Sequence, residues 1–548
     1  MYKKKSFLWL VCILVFVFMI GCSNTATDQV LDEGETASLE SRAFVYAVPG
    51  NPETLDLTLA SENVSIIAII NSFEGLVKVD DDGNVLPGVA ESWEISEDLT
   101  EYTFHLREDA KWSDGESVKA ADFVYSWQRA ANPETAAEFA YFLFYLKNGE
   151  AIVDGEVAVE ELGVEAIDER TLKVTLEAPV SYIFNIFAFP TYFPLREDIV
   201  SVDPEKWTLN PETRISNGPF VISDWKQNEV VILKKNEAYW NQSNVSIDEV
   251  HLQIISDSST ALAAYEAGGI DGTYVVPATE IPRLMVDNDE FALDPALIMS
   301  YLEFNSMAAP FDDIRVRRAL TLAIDRSDIT DKITLGGEKP AVGLVPFGIE
   351  LGGRDFREDG GTYGIVADDS RVAEAQELLA EAGYPDGVGF PKITLHLPSE
   401  SRNQRVGEAL MEMWKTNLGI EEIELLPQES KVHYTDMGEG DFQVGMAGWL
   451  GDYQHPMSFL TMWESGSGSN STQYNNEEFD MLIRDAKKSQ DVEASLELMH
   501  QAEDLWMAQH VVCPLFYESQ TVLVKEYVKG FNMSATSLAF FDKITIEE

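Results

Sequence analysis

The order of hydrophobic and polar residues predicts a series of strands and helices that begins near residue 43. The apolar run Phe44–Val48 and the alternating run Tyr102–Arg107 are typical of strands. Apolar residues recur at helical spacing farther along, which predicts helices over Ser65–Leu76, Ala121–Ala130, Arg371–Ala382, Phe479–Lys487 and Val492–Gln509. Two more strands are expected at Val512–Phe516 and Thr521–Val524.

This pattern contains no internal repeat and no regular strand–helix–strand period. A body of roughly 500 residues is long enough for two or three hydrophobic cores. The mixed order therefore indicates an α/β fold with two lobes, in which the strands of one lobe come from separated parts of the chain.

The N-terminus has the features of an export signal. The basic start Lys3–Lys5 precedes an apolar run, Phe7–Ile20, that is too short to span a bilayer comfortably. The following Gly21-Cys22 completes a sequence that resembles a bacterial lipobox, so cleavage would leave Cys22 as the lipid-bearing first residue. We expect a lipoprotein signal peptide over 1–21 and a flexible tether over 22–41. An uncleaved anchor and an ordinary secretory signal are the alternatives.

Charge and cysteine usage exclude several classes of protein. The chain has 39 Lys and Arg against 94 Asp and Glu, which gives a formal net charge of −55. Nucleic acid is excluded as a partner because phosphate binding needs a basic surface. Cys12 lies in the signal and Cys22 is the lipid site, so Cys513 alone remains in the body and no internal disulfide is possible there.

The segment Met446–Pro456, with the sequence MAGWLGDYQHP, carries the most specific chemistry. It follows an apolar, strand-like run and places Trp449 and Asp452 beside a turn of small residues. A carboxylate fixed beside an indole can receive one positive ligand group while the ring covers it. Taken alone, the segment fits equally a core tryptophan and an aspartate that caps a turn.

No feature of the sequence selects an enzyme. The seven histidines are scattered without a pair at metal-ligand spacing, and neither a G-x-S-x-G elbow nor a G-x-x-x-x-G-K-[ST] phosphate loop occurs. The abundant carboxylates permit a glycosidase-like pair, yet nothing in the sequence selects one. We expect no catalytic residue, no metal and no cofactor, so energy from ATP must come from a partner.

Several short motifs in a fixed order resemble the peptide-binding solute receptors of bacterial ABC importers, especially their oligopeptide branch. The resemblance extends from about Phe44 to the C-terminus. The motifs that carry it are Asn51–Asp56, Phe73–Leu76, Pro87–Trp93, Lys111–Gly115, Asp122–Arg129, Asn217–Phe220, Arg317–Arg326, Gly448–Pro456 and Tyr474–Asp480. Many weak motifs in one order are far more specific than any one of them.

The resemblance implies a clamshell receptor of the type II periplasmic-binding-protein class, in its large peptide-binding subclass, with an extra inserted domain. The first lobe would combine 42–82, 208–300 and 513–548, and an inserted domain would occupy 83–207. The second lobe would span 301–512, with hinge crossings near 300 and 512. Such receptors close on a ligand that touches both lobes.

The implied function is capture of oligopeptides and their delivery to an ABC permease and its ATPase subunits. The protein would be a monomer, held by the lipid on Cys22 at the extracytoplasmic face of a membrane, on a Gram-positive cell surface. A non-transport sensory role would look identical in the sequence. Other ligands of the same fold stay open as well, namely a signalling peptide, a dipeptide, a saccharide or a metal chelate.

The resemblance also implies the ligand site. A receptor for varied peptides must bind the backbone and the charged ends, which all peptides share. Asp452 would bind the ligand α-ammonium, and Trp449 would wall a side-chain pocket. The implied ligand-binding residues are Trp449, Leu450, Gly451 and Asp452 in the second lobe and Glu62, Asn63 and Val64 in the first. Met446 stands where some oligopeptide receptors have Arg, so no cation is assigned to the ligand C-terminus.

Overall fold

The computed structural model describes residues 43–80 and 84–547, which lie in one compact unit, Ser41–Glu548. The predicted signal peptide, the tether and Cys22 fall outside the described residues. Within the described ranges, no helix combines the length and the apolar character needed to cross a membrane.

Strands occur along the whole described chain, and the longest two are β12 and β19. They are β1 Phe44–Val48, β2 Val77–Val79, β3 Val85–Pro87, β4 Ala90–Ile95, β5 Glu101–Leu106, β6 Val164–Ala166, β7 Thr171–Thr175, β8 Phe220–Lys226, β9 Val230–Lys235, β10 Glu249–Ile254, β11 Gly272–Thr273, β12 Phe291–Phe304, β13 Lys339–Pro340, β14 Glu350–Leu351, β15 Arg354–Asp355, β16 Ile393–Pro398, β17 Ile423–Gln428, β18 Val444–Leu450, β19 Val512–Val524, β20 Val528–Lys529, β21 Asn532–Met533, β22 Ala539–Phe540 and β23 Thr545–Ile546.

Helices alternate with these strands. The α-helices are α1 Asn63–Ile70, α2 Ala120–Ala131, α3 Gly149–Val153, α4 Ile183–Phe187, α5 Glu197–Val200, α6 Ser258–Glu266, α7 Ile281–Asp287, α8 Ile314–Leu322, α9 Arg326–Asp328, α10 Phe356–Asp359, α11 Val372–Glu381, α12 Ser401–Leu418, α13 Ser430–Glu439, α14 Met457–Leu460, α15 Glu477–Lys488 and α16 Val492–Met507. Short 3-10 turns include Ala140–Tyr145, which contributes to the candidate site.

One large sheet joins two groups of strands. Its order is β17-β16-β18-β12-β19-β11-β1-β10-β9-β8, and β13 pairs with β19. The first group surrounds β1, which is parallel to β10 and β11, and the second surrounds β16, which is parallel to β17 and β18. β12 and β19 pair along both halves of their length, with a break in register between Pro295 and Met299. The antiparallel strands β12 and β19 therefore connect the two groups.

A second sheet is formed by the part of the chain between β1 and β8 of the large sheet. Its order is β4-β5-β7-β6, and it spans residues 90–175. Trp112 and Trp127 are fully buried beside it, as expected of core residues, and Cys513 is buried in β19. The mixed α/β architecture expected from the sequence is thus present.

Two elements differ from the predicted ones. α1 ends at Ile70, well before Leu76, since Asn71 turns its side-chain amide to the carbonyls of Ile67 and Ala539, each at 2.8 Å. β19 is one continuous strand where two were expected. Its polar centre stays extended because β12 pairs with it on both sides of Glu518 and β13 pairs with it at Phe516 and Tyr517.

Candidate functional site

The edge of β18 that faces away from β12 is largely unpaired. β16 pairs with β18 at Val444 and Gly445, and no described strand continues this ladder toward Leu450. Gly448 and Leu450 are exposed there. Side chains of α13 contact part of this edge. His433 Nε2 lies 2.8 Å from the Met446 carbonyl oxygen, and the Tyr434 hydroxyl forms a hydrogen bond with the Gly448 backbone. Backbone groups of an extended peptide can replace such contacts.

Ser458 of α14 fixes the end of this strand. Its carbonyl accepts a hydrogen bond from Trp449 Nε1 at 2.7 Å, and its hydroxyl accepts one from the Asp452 backbone N–H at 2.8 Å. Gly451 donates its own N–H to the Leu297 carbonyl at 2.7 Å. Added bulk at Gly451 would collide with Phe459, 2.7 Å from an ideal Cβ position. The local sequence therefore holds Trp449 and Asp452 in one orientation.

Trp449 and Leu450 belong to the strand itself and not to the turn that the sequence indicated. Trp449 lies opposite Met299 of β12 and packs against the large core while part of its ring stays exposed. Leu450 is 38 % exposed. An indole that is fixed at one edge and open on another can form a pocket wall, and this role of Trp449 stays a prediction.

The Asp452 carboxyl group is half-buried and faces Tyr141, a residue of the 3-10 turn Ala140–Tyr145 that is itself 39 % exposed. Burial raises its pKa to about 6, and a hydrogen bond from the Tyr141 side chain lowers the pKa in part. Burial also raises the pKa of Tyr141 well above its usual range, and the neighbouring Asp452 charge adds to that rise. The Tyr141 hydroxyl therefore keeps its proton at neutral pH and can donate it in a hydrogen bond to Asp452. No cation among the described residues pairs with Asp452, and a half-buried carboxylate of this kind is suited to an ammonium group.

Aromatic rings continue this contact beside Asp452. Tyr182 stacks on Tyr453, with 5.6 Å between ring centroids, and on His455 at 4.8 Å. The hydroxyls of Tyr145 and Tyr182 lie 3.2 Å apart. Burial lowers the pKa of His455 to about 3, so this ring is neutral and acts as a packing group. The predicted inserted domain thus touches the predicted second lobe directly at the site.

Glu62, Asn63 and Val64 lie at the start of α1. The Glu62 carboxylate caps this helix: it accepts from the N–H groups of Val64 at 2.6 Å and Ser65 at 2.7 Å. Val64 is buried in the core around β1, whereas Asn63 is partly exposed. The carboxylate of Glu62 therefore has a structural role, and a ligand role at this segment would fall to its backbone.

Two contributors to the site were missed from the sequence, namely Tyr141 and Ser458. The run Phe139-Ala140-Tyr141-Phe142-Leu143-Phe144-Tyr145 is unusually aromatic and could have indicated a ligand-facing wall. Ser458 has no comparable signal because its role depends on the turn between β18 and α14. Among residues 43–80 and 84–547, no group of three or more His, Cys, Asp or Glu side chains could hold a metal ion.

Comparison with known proteins places the chain in a family. The model described as "Bacterial extracellular solute-binding proteins, family 5 Middle" matches residues 84–471. The chain belongs to this family. Its resemblance to peptide-binding solute receptors is therefore confirmed, and its relatives are substrate-binding proteins and not enzymes.

Individual relatives agree over nearly the whole chain. The dipeptide-binding protein DppE of Bacillus subtilis (strain 168) is 33% identical over 517 residues, covering 93% of each chain. The periplasmic oligopeptide-binding protein OppA of Escherichia coli (strain K12) is 36% identical over 466 residues, covering 84% of each. The solved structure of the E. coli murein tripeptide binding protein MppA superposes with a TM-score of 0.76 at 33% identity, covering 93% of this chain and 99% of that one. The two-lobed solute-receptor fold is thereby confirmed.

Proposed function

We propose that this family 5 solute-binding protein captures oligopeptides between its two lobes and delivers them to the permease of an ABC importer. One observation carries the proposal: the strand edge Met446–Leu450, which pairs with no described strand, leads to the half-buried carboxylate of Asp452. The edge offers backbone groups to a peptide of any sequence, and the carboxylate offers a counter-charge to its amino terminus. The names of the three relatives, which refer to a dipeptide, oligopeptides and a murein tripeptide, support the same ligand class.

Delivery and anchoring form the second part of the proposal. The lipobox-like sequence supports export and a lipid on Cys22, which would hold the receptor at the extracytoplasmic face of a Gram-positive cell membrane. The permease and its ATPase subunits would be the partners of a monomeric receptor with the domain division 42–82, 83–207, 208–300, 301–512 and 513–548. In cells, Cys22→Ser should move the protein from the membrane fraction to the medium. Retention in the membrane would contradict anchoring through this residue.

Calorimetry on the full chain in detergent tests the ligand class. Free tetra- to hexapeptides from a mixed library should bind, and N-acetylated copies of the same peptides should bind much more weakly, because acetylation removes the positive charge that Asp452 receives. Asp452→Asn should weaken the free peptides selectively. Asp441→Asn is the matched control, since Asp441 is an exposed carboxylate just before β18. An absence of heat with every peptide would refute the proposal, and saccharides or metal chelates would then be tested.

A further inference from the structure

Three ionic side chains meet where β19 leaves the second group of strands. Arg402, in the first turn of α12, donates through Nη2 to Glu338 Oε1 at 2.6 Å and to Glu518 Oε2 at 2.8 Å, and through Nη1 to Glu518 Oε1 at 3.0 Å. Its guanidinium also lies 5.1 Å from the centre of the Phe516 ring. The side chains of Glu338 and Glu518 are only 4% and 15% exposed. We call Arg402, Glu338 and Glu518 the Arg402 cluster.

The Arg402 cluster lies next to the strand that ends at the proposed peptide site. Ser300 of β12 is paired with Gly448 of β18, and its hydroxyl donates to Glu518 at 3.0 Å. α12 begins just after β16, which is parallel to β18, so the helix start and the end of β18 share one edge of the sheet. Ligands of open α/β sheets bind outside this carboxyl edge. Gly448 precedes Asp452 by four residues, at most about 14 Å of extended chain.

The charge of the Arg402 cluster is unbalanced. Two carboxylates share one guanidinium, and the Glu338 carboxylate also accepts hydrogen bonds from the Gly336 N–H at 2.7 Å and the Thr334 hydroxyl at 2.8 Å. Arg402 therefore has no charge left for a third anion.

Neighbouring cations do not restore the balance. Lys339 is next in sequence to Glu338, but residues alternate sides along a strand, and its ammonium lies over Phe347, 5.1 Å from the ring centre. Arg405, one turn along α12, is exposed and donates to the Ser401 carbonyl, and Glu400, directly before the helix, adds a further exposed carboxylate. Exposed charges of this kind are screened by solvent. The two largely buried carboxylates and the 36% exposed Arg402 side chain thus leave one formal negative charge uncompensated.

Resting on the proposed peptide-binding function, we propose that the Arg402 cluster is a specificity determinant for peptides with a basic side chain at the third or fourth residue. An extended peptide held at Asp452 by its amino terminus reaches the vicinity of Glu518 after three or four residues. A Lys or Arg side chain there supplies the missing positive charge. An acidic side chain, or a free C-terminal carboxylate at that position, becomes a third anion on a single arginine and is disfavoured.

Calorimetry with alanine hexapeptides that carry Lys, Ala or Glu at the third or the fourth position tests this inference on the full chain. The Lys peptide should bind about tenfold more tightly than the Ala peptide at one of the two positions, and the Glu peptide more weakly than either. Glu518→Gln keeps an oxygen acceptor for Ser300 and Arg402 but removes the surplus charge, so the Lys preference should fall to within about twofold. Glu408→Gln, at an exposed position of the same helix α12, is the control and should retain the full preference.

The outcomes separate this inference from the proposed function. If all three peptides bind equally, peptide capture stands and the charge preference is refuted. If a Lys preference persists unchanged in a folded Glu518→Gln variant, its assignment to the Arg402 cluster is wrong. If no peptide binds at all, the proposed function fails first. A measurement that needs no variant adds a check: in the unmodified chain, rising salt should reduce the Lys preference, and a salt-independent preference would contradict an ionic cause.

Discussion

Two carboxylates of the predicted site, Asp452 and Glu62, have very different surroundings. Glu62 stands directly before α1 and accepts two of the helix's free N–H groups. Asp452 follows the end of a strand, where its own N–H donates to the Ser458 hydroxyl and its half-buried carboxylate faces the Tyr141 side chain. A helix start provides several backbone donors to a nearby carboxylate, whereas a strand end provides none by itself. Availability to a ligand therefore depends on the local backbone and not on residue type.

The largest expected difference between the two residues is in peptide binding. Asp452→Asn removes the charge that would receive a ligand ammonium in an enclosed site, which should cost about 2–5 kcal/mol of binding free energy. Glu62→Gln keeps a side-chain oxygen at the helix start, so we expect less than about a threefold change in Kd. Calorimetry with one free-amine pentapeptide measures both variants.

Equal losses in the two variants would contradict the contrast, because both carboxylates would then contact the ligand. N-acetylated peptide is the internal control: it should bind the unmodified chain and Asp452→Asn equally weakly. Unfolding temperatures of both variants, measured without ligand, exclude a general loss of structure as the cause of weak binding.

The pH dependence of peptide affinity tests the role of the Asp452 charge, the half of this comparison that concerns binding. With its pKa raised to about 6 in the empty protein, Asp452 must lose a proton below that pH before it can hold an ammonium. Affinity should therefore be highest between about pH 6 and pH 8, since a free α-amino group loses its charge near the upper limit. Below about pH 6 it should fall about tenfold per pH unit. Calorimetry across this range should give no such slope for Asp452→Asn.

Stability of the empty protein should respond to pH in the opposite direction. A carboxyl whose pKa in the folded state is raised above the usual 3.8 binds its proton more tightly when folded, so its contribution to stability falls as pH rises toward about 6. The unfolding temperature of the unmodified chain should decrease over this range relative to Asp452→Asn. An identical pH profile of unfolding for the two proteins would show that Asp452 is not enclosed in the empty state.

For substitution of Glu62 we expect a smaller effect, on the free energy of unfolding and not on peptide binding. Glu62→Ala removes the cap of α1 and should lower the free energy of unfolding by about 1 kcal/mol while Kd for peptides stays unchanged. Denaturant unfolding followed by circular dichroism measures the first quantity. Glu53→Ala is a matched control, because Glu53 is exposed and its backbone N–H, which the substitution keeps, donates to Glu62. A loss of binding without a loss of stability in Glu62→Ala would reverse the assignment.

The sequence was most informative where local pattern and chemistry coincide. The spacing of apolar residues predicted α2, α15 and α16 to within a few residues, and the ordered motifs predicted the family and its fold. Trp449 and Asp452 could be selected because their segment combines rare residue types at short range.

Contacts between distant parts of the chain explain which features of the structure were not predicted from the sequence. α1 is shortened by an Asn71 contact with Ala539, far away in the chain, and β19 is continuous because its partners come from distant segments. The role of Glu62 as a cap was missed for a different reason: it required knowing that α1 starts at Asn63, and helix boundaries are the least certain part of a sequence-based prediction. Tyr141 and the Arg402 cluster are likewise assembled from segments that only the fold brings together.

Tyr141 accounts for the smallest expected difference between the two carboxylates. Asp452 faces this side chain from a distant part of the chain, whereas Glu62 accepts from backbone N–H groups next to it in sequence. Tyr141→Phe removes the hydroxyl but keeps the ring, so Asp452 stays enclosed and loses a donor that favours its charged form. The pKa of Asp452 should therefore rise further above 6, by up to about one unit. NMR titration of the carboxyl carbons measures this shift, and the acid limb of peptide binding should move upward in pH by the same amount. Tyr125→Phe, at a partly buried tyrosine of α2, is the control that should leave both unchanged. An unaltered Asp452 titration in Tyr141→Phe would mean that the two side chains do not meet in solution. The direct contact between 140–145 and the end of β18 would then be absent from the ligand-free receptor.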